Sequence, residues 1–179
     1  MSCPIRLALL AALAALCAAP ARAAPDSLIA RGKYLVTVGG CSDCHTPGTF
    51  LGKPDMKRFL GGSDVGFALP TGVFVPPNLT PDDATGLGRW TRKEIVTAIT
   101  TGKRPDGRIL AGIMPWRAFA HLTPRDALAI ATYLKSLPPV SHKVPGPFGP
   151  KQTPSVFVMA VLPGAVYAKL PAPDAPPAR

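Results

Sequence analysis

Three stretches of this chain repeat their apolar residues at helical spacing. In the first, Leu28, Leu35 and Val38 fall on one side of a helix that Asp26 or Ser27 can cap and that Gly39-Gly40 would stop. Gly32 lies inside it, at a cost of about 1 kcal/mol against alanine. A second helix approaching closely would explain that glycine. In the next stretch, Thr91 and Glu94 stand in capping-box register, Ile95, Val96 and Ile99 form the buried side, and Gly102 ends the element. The third helix starts at Thr123, with Pro124 in its first turn and Asp126 near its positive end. Its apolar positions are Ala127, Ile130, Ala131, Leu134 and Leu137, Pro138-Pro139 terminate it, and Tyr133 is placed to lie over Gly32.

Between the first two helices the pattern breaks. Residues 61–90 are rich in Gly, Pro, Asn and Asp, which predicts an ordered loop with at most a short hairpin in "FALPTGVFVPP". The pattern breaks again after Val140. Eleven of the positions from 138 to 179 are proline, around one apolar island, "SVFVMAVLPGAVYA". The island is too short to span a bilayer and Pro163 interrupts it. Packing onto the helical part is the favoured reading, with a docking strap or a peripheral membrane contact through residues 155–168 as alternatives. The last residues, "PAPDAPPAR", read as disordered.

At the other end, Arg6, the apolar run Leu7–Ala19 and small residues at Ala21 and Ala23 make a secretory signal peptide over residues 1–23. Its removal divides the rest into a domain over 24–140 and a Pro-rich extension over 141–179. It also leaves Cys41 and Cys44 as the remaining cysteines and, without Arg6 and Arg22, 18 basic against 10 acidic residues, a net charge of +8. The basic charges are scattered rather than run together, so nucleic acid is not the expected partner.

The two cysteines lie in "GGCSDCHTPG". A disulfide this short closes a tiny loop, constrains the unfolded chain little and leaves His45 without a role. A structural zinc site wants four ligands, and no second pair is present. A thioredoxin-like pair belongs in a strand–helix context, whereas a helix precedes this one. Cys-x-x-Cys-His is the attachment signature of c-type haem, and it alone uses all three residues: two thioethers from Cys41 and Cys44, and His45 as proximal iron ligand.

A second axial ligand is then needed. Met56 reads as a loop residue, Met159 as packing, His121 as a position before a helix start, and His142 as a solvated linker residue. Met114 precedes Pro115, which favours an extended loop there, and Trp116 can wall a haem pocket. Met114 is therefore the expected distal ligand, with a core methionine as the competing reading. Asn78, Arg89 and Trp90 are candidate donors to the haem propionates, against turn-making or surface packing.

These residues bear a family resemblance. "CSDCH", "PPNLTPDDATGLGRWTRKEIVTAITTGKRPDG", "MPW" and "LTPRDALAIATYLKSLPPV" resemble the small monohaem c-type cytochromes of bacteria. They are especially similar to single haem domains in the cytochrome subunits of membrane-bound alcohol, aldehyde and sugar dehydrogenases. The resemblance covers roughly Ala30 to Val140. It implies an all-α cytochrome c fold, with three main helices and long ordered loops around one covalently bound haem c. Cys41 and Cys44 would carry the haem, with His45 proximal and Met114 distal. The dehydrogenase subunits typically carry three such motifs, and this sequence carries one.

The function expected is that of a periplasmic electron carrier, not an enzyme. It would take single electrons from a dehydrogenase or other donor and pass them to an oxidase or another cytochrome. A haem subunit within a dehydrogenase complex is the alternative, and a haem peroxidase or ligand-binding haem protein the more distant one. Lys103, Arg104, Arg108 and Arg117 bracket Met114 and are candidates for steering an acidic partner.

Overall fold

The computed structural model of the protein describes residues 25–170. The signal peptide expected over 1–23 and the disordered end expected at 171–179 lie outside the described residues.

The three long helices form: α1 (Pro25–Val38), α3 (Arg92–Thr101) and α5 (Pro124–Ser136). Asp26 and Ser27 lie inside the first turn of α1. At α3 the capping box closes in both directions: Glu94 N donates to Thr91 Oγ1 at 3.2 Å, and Thr91 N donates to Glu94 Oε2 at 2.7 Å. The helix stops where Gly102 turns left-handed, with φ 75°. At α5 the Thr123 hydroxyl accepts from Asp126 N at 3.1 Å, and Pro124 occupies the first helical position, where no N–H is missed. Shorter turns complete the helical set: α2 (Cys41–His45), α4 (Trp116–Phe119) and α6 (Gly164–Tyr167).

Helices α1 and α5 cross at Gly32. A Cβ there would run into the Ala129 carbonyl oxygen and lie 2.6 Å from Tyr133 Cβ, so only glycine lets the two backbones meet. Arg31 Nε donates to Asp126 Oδ1 at 2.8 Å beside the crossing. The core beneath combines Val36, Leu60, Leu87, Ile95, Ile130, Ala131, Tyr133 and Leu134. Full burial of each large aliphatic side chain there contributes about 1.5–3 kcal/mol.

The all-α expectation needs correction, because the fold is mainly helical but includes a small sheet. Strands β1 (Val65–Leu69) and β2 (Gly72–Phe74) form the antiparallel hairpin, and β3 (Phe157–Met159) joins β1 in parallel, giving the order β2-β1-β3. A chain segment far away in sequence supplies the third strand, and no local pattern encodes such a pairing. The extension is also laced to the domain by Phe148, which exchanges backbone hydrogen bonds with Val73.

The apolar island docks by its backbone more than by its side chains. Phe157 is 65% exposed and Val161 fully exposed, and Val158, Met159 and Tyr167 are exposed too. The packing favoured from sequence is therefore realised only in part, since a three-residue edge strand has no second layer to cover it. No helix among the described residues is long and apolar enough to cross a membrane.

Candidate haem-attachment site

The site is built on the turn between α1 and α2. Gly39 N donates to Leu35 O at 2.8 Å, and Gly40 then takes φ 64°, so the chain reverses and starts α2 at Cys41. One helical turn later come Cys44 and His45. Both thiols are free and partly buried. Burial pushes the Cys41 thiol up to about 11 and raises that of Cys44 as well. Thiols held protonated in this way are poor ligands for a bare metal ion, which wants thiolate. Among the described residues, no three His, Cys, Asp or Glu side chains gather as a metal site.

His45 is 6% exposed, and its Nδ1 lies 2.7 Å from the Pro77 carbonyl oxygen. A carbonyl can only accept, so Nδ1 carries the proton and Nε2 keeps its lone pair. Desolvation pushes the imidazole down to about 4, against the raising effect of the Pro77 carbonyl. At neutral pH the ring is thus neutral, fixed in one tautomer, and able to coordinate through Nε2.

The proximal loops interlock around that ring. Gly62 N donates to His45 O at 2.8 Å. Thr46, buried next to His45, accepts from Leu60 N at 3.0 Å through its hydroxyl. Leu60 is wholly buried yet sits at φ 58°, a left-handed conformation that costs an L-residue about 1–2 kcal/mol and that burial of its side chain offsets.

Asn78, next to Pro77, is 2% exposed. Its amide donates to Thr85 Oγ1 at 3.0 Å and to Val140 O at 2.7 Å, while its oxygen accepts from Thr80 N and Thr80 Oγ1. The propionate role expected for Asn78 thus finds both amide hydrogens already taken by the chain. His142, expected to be solvated, is half-buried, with Nδ1 2.7 Å from Gly61 O and Nε2 3.5 Å from Arg58. Sequence reasoning missed the Pro77 carbonyl and the Val140–His142 clamp, because backbone acceptors leave no mark in residue identity.

The distal candidates come from residues 102–119. Met114 is half-buried on a turn in which its N donates to Ala111 O at 3.0 Å and its O accepts from Trp116 N at 2.8 Å. Helix α4 follows at once and docks beside the attachment turn. A Cβ placed on Gly39 would lie 3.9 Å from both Cys41 Sγ and Phe119 Cε1. Met56 is 63% exposed, Met159 44% exposed, and His121 exposed as well.

Trp116 packs on the end of α3, where a Cβ on Gly102 would lie 2.7 Å from its Cε2. Trp90 is half-buried, with the Arg104 guanidinium 5.4 Å from its ring centroid. Arg89 is exposed, without an ion-pair partner among the described residues. Two donors in this region, Arg104 Nε and Trp116 Nε1, are buried without an acceptor. Two free thiols one helical turn apart, followed by a tautomer-locked imidazole, form a donor set that fits a covalently bound haem.

Comparison with known proteins agrees with this chemistry. The cytochrome c family model matches residues 29–138. The chain is 39% identical over 120 residues to the cytochrome c subunit of alcohol dehydrogenase (quinone) from Gluconacetobacter polyoxogenes, covering 64% of this chain and 25% of that protein. It is 35% identical over 112 residues to the fructose dehydrogenase cytochrome subunit of Gluconobacter japonicus, covering 60% and 22%. With a diheme cytochrome c-type protein of Cereibacter sphaeroides it shares 30% identity over 109 residues, covering 61% and 36%. The matched segment thus spans only about a quarter to a third of these relatives.

Proposed function

Because this chain belongs to the cytochrome c family, we propose that it is a periplasmic electron carrier with one covalent haem c, held by Cys41 and Cys44 and ligated by His45 and Met114. The observation that carries this reading is the pinned imidazole of His45, which follows two free thiols and keeps its Nε2 open. When bound, the haem supplies an iron that gains and loses one electron.

The chain's own residues set the conditions for that exchange. The Pro77 carbonyl fixes the His45 tautomer and makes the imidazole a stronger donor. Burial of His45, Thr46 and Leu60 keeps water from the proximal side. Met114 would supply the second protein ligand to the bound haem, and a thioether ligand would raise its reduction potential. With His45 and Met114 both committed to the iron, the site would favour electron transfer over peroxidase chemistry or ligand binding.

A dehydrogenase is the proposed electron donor, and an oxidase or another cytochrome the acceptor. The names of the relatives support the donor. They equally support a standing place as the haem subunit of a dehydrogenase complex. Arg117, over the Trp116 ring at 4.4 Å, and the exposed Lys103 lie close in sequence to Met114 and are proposed to steer an acidic partner. The exposed apolar residues within 155–168 are proposed as a peripheral membrane contact.

Expression with a haem-maturation system tests the reading. Haem-stained bands should survive denaturing electrophoresis in the wild type and vanish in a Cys41→Ser/Cys44→Ser variant. Met114→Ala should keep the stain but lose the long-wavelength ferric band of methionine ligation and bind added imidazole. If Met114→Ala retains that band, Met114 is not the ligand.

A further inference from the structure

We infer that His142 is a positioning residue for His45, which it reaches by holding the Gly61-Gly62 backbone through its Nδ1–H. The inference rests on the haem reading above. It gives a role at the proximal ligand to the start of the Pro-rich extension, beyond the residues that the cytochrome c family model matches.

His45 is fixed at two points. Pro77 O holds its ring, and its own carbonyl accepts from Gly62 N at 2.8 Å. Gly62 links the two. It is buried, and a Cβ on it would lie 3.1 Å from Asn78 N and 3.4 Å from the Pro77 carbonyl carbon. The glycine pair thus lies against both the His45 backbone and the peptide whose oxygen orients the His45 ring. Neither glycine has a side chain to anchor it, so the pair stays where its neighbours hold it.

Those neighbours come from the extension. A Cβ on Gly61 would lie 3.1 Å from Val140 Cγ1, and one on Gly62 would run into Val144. Half-buried His142, between the two valines, adds the polar contact: its Nδ1 lies 2.7 Å from Gly61 O. The carbonyl can only accept, so Nδ1 carries the proton. Nε2 then keeps a lone pair, and Arg58 Nη1 faces it at 3.5 Å, with Arg58 Nε bonded to Asp55 Oδ2 at 2.8 Å. The backbone of His142 is placed as well. Its N donates to Thr85 Oγ1 at 3.1 Å, the same oxygen that accepts from the Asn78 amide. His142 therefore reaches His45 by two routes, through Gly61-Gly62 to its carbonyl and through Thr85 and Asn78 to Pro77.

The sign of the effect follows. A firm Pro77 contact makes the imidazole a stronger donor to the iron. Loosening the glycine pair weakens that contact and raises the midpoint potential.

The test uses the holoprotein and two variants. His142→Leu removes the N–H, whereas His142→Asn can place an amide N–H where Nδ1–H stands. Asp126→Asn, which loosens the α1–α5 crossing, is the control for stability alone. In His142→Leu, hydrogen exchange at Gly62 N and His45 Nδ1 should quicken about tenfold, as for the loss of one hydrogen bond, and the midpoint potential should rise. His142→Asn should restore both. Asp126→Asn should lower the melting temperature and move neither. The wild type should itself show a slowly exchanging proton on His142 Nδ1, so the outcome does not hang on the leucine variant folding.

A fast-exchanging Nδ1 proton in the wild type would overturn the inference, as would unmoved exchange and potential in folded His142→Leu. No rescue by asparagine would assign the effect to lost volume and overturn it too. Equal shifts in Asp126→Asn would do the same, since the potential would then follow stability rather than position. Absence of haem from the wild type would instead overturn the reading beneath, and the exchange comparison at Gly62 would still decide the contact.

Discussion

His45 Nδ1 lies 2.7 Å from the carbonyl oxygen of Pro77, and that contact ties the attachment turn to a loop 32 positions further along the chain. The tie is only as firm as Pro77, whose neighbour Asn78 is bonded to Thr85, Thr80 and Val140. The imidazole is thus oriented by a backbone atom, which a buried amide two bonds of the network away holds in place.

Asn78→Ala should therefore do more than destabilise. Loss of the amide leaves Thr80 N without its acceptor and takes from Val140 O its shortest donor, at about 1–3 kcal/mol per orphaned buried group. Thermal unfolding should show that loss, and the midpoint potential should shift because the His45 donor strength changes. An unchanged melting temperature together with an unchanged potential would remove Asn78 from this role.

Gly32→Ala sets two magnitudes against each other. On an open helix face alanine gains about 1 kcal/mol over glycine. Here the new methyl meets the Ala129 carbonyl and the Tyr133 side chain, and overpacking costs about 1–3 kcal/mol. The net change should be a loss of stability in chemical denaturation. A gain would mean that α1 and α5 do not touch at this point.

The Arg31–Asp126 pair makes the α1–α5 crossing sensitive to acid. The hydrogen bond from Arg31 holds the Asp126 carboxyl below its ordinary value of 3.8, with help from Thr123. A depressed carboxylate contributes stability that is present above the unfolded value and is lost as pH falls through the folded one. Asp126→Asn should melt below the wild type at pH 7, and the gap should narrow as pH falls below 3.8 and close as it passes through the lower folded-state value. A gap of constant size down to pH 2 would contradict the pairing.

Much of the helical frame was legible because its signals are local. Thr91 with Glu94, Thr123 with Pro124, and Gly102 at a left-handed terminus each act within one helical turn, and each forms as its residues dictate. Gly32 was legible as a close approach because a mid-helix glycine needs a reason. The parallel pairing of β1 with β3, the Pro77 carbonyl and the His142–Gly61 contact were not legible. All three depend on backbone groups meeting across long stretches of chain, and one peptide carbonyl looks like any other in sequence. Arg104 was noticed for its charge, whereas what distinguishes it is a buried Nε without an acceptor.

Lys103 and Arg117 supply the electrostatic prediction. Lys103→Glu with Arg117→Glu should slow reduction by an acidic dehydrogenase several-fold at low salt. The difference should fade as the screening length drops from about 10 Å at 0.1 M to about 3 Å at 1 M salt. A rate ratio independent of ionic strength would assign these cations to solubility alone.

The central claim is that Cys41 and Cys44 bind one porphyrin through thioether bonds. Intact-mass measurement of the denatured protein, made alongside haem maturation, tests it most directly. The account predicts a mass equal to the polypeptide plus one haem, falling to that of the bare polypeptide in Cys41→Ser/Cys44→Ser. A wild-type mass equal to the bare polypeptide, or lower by only the two hydrogens of a disulfide, would contradict it.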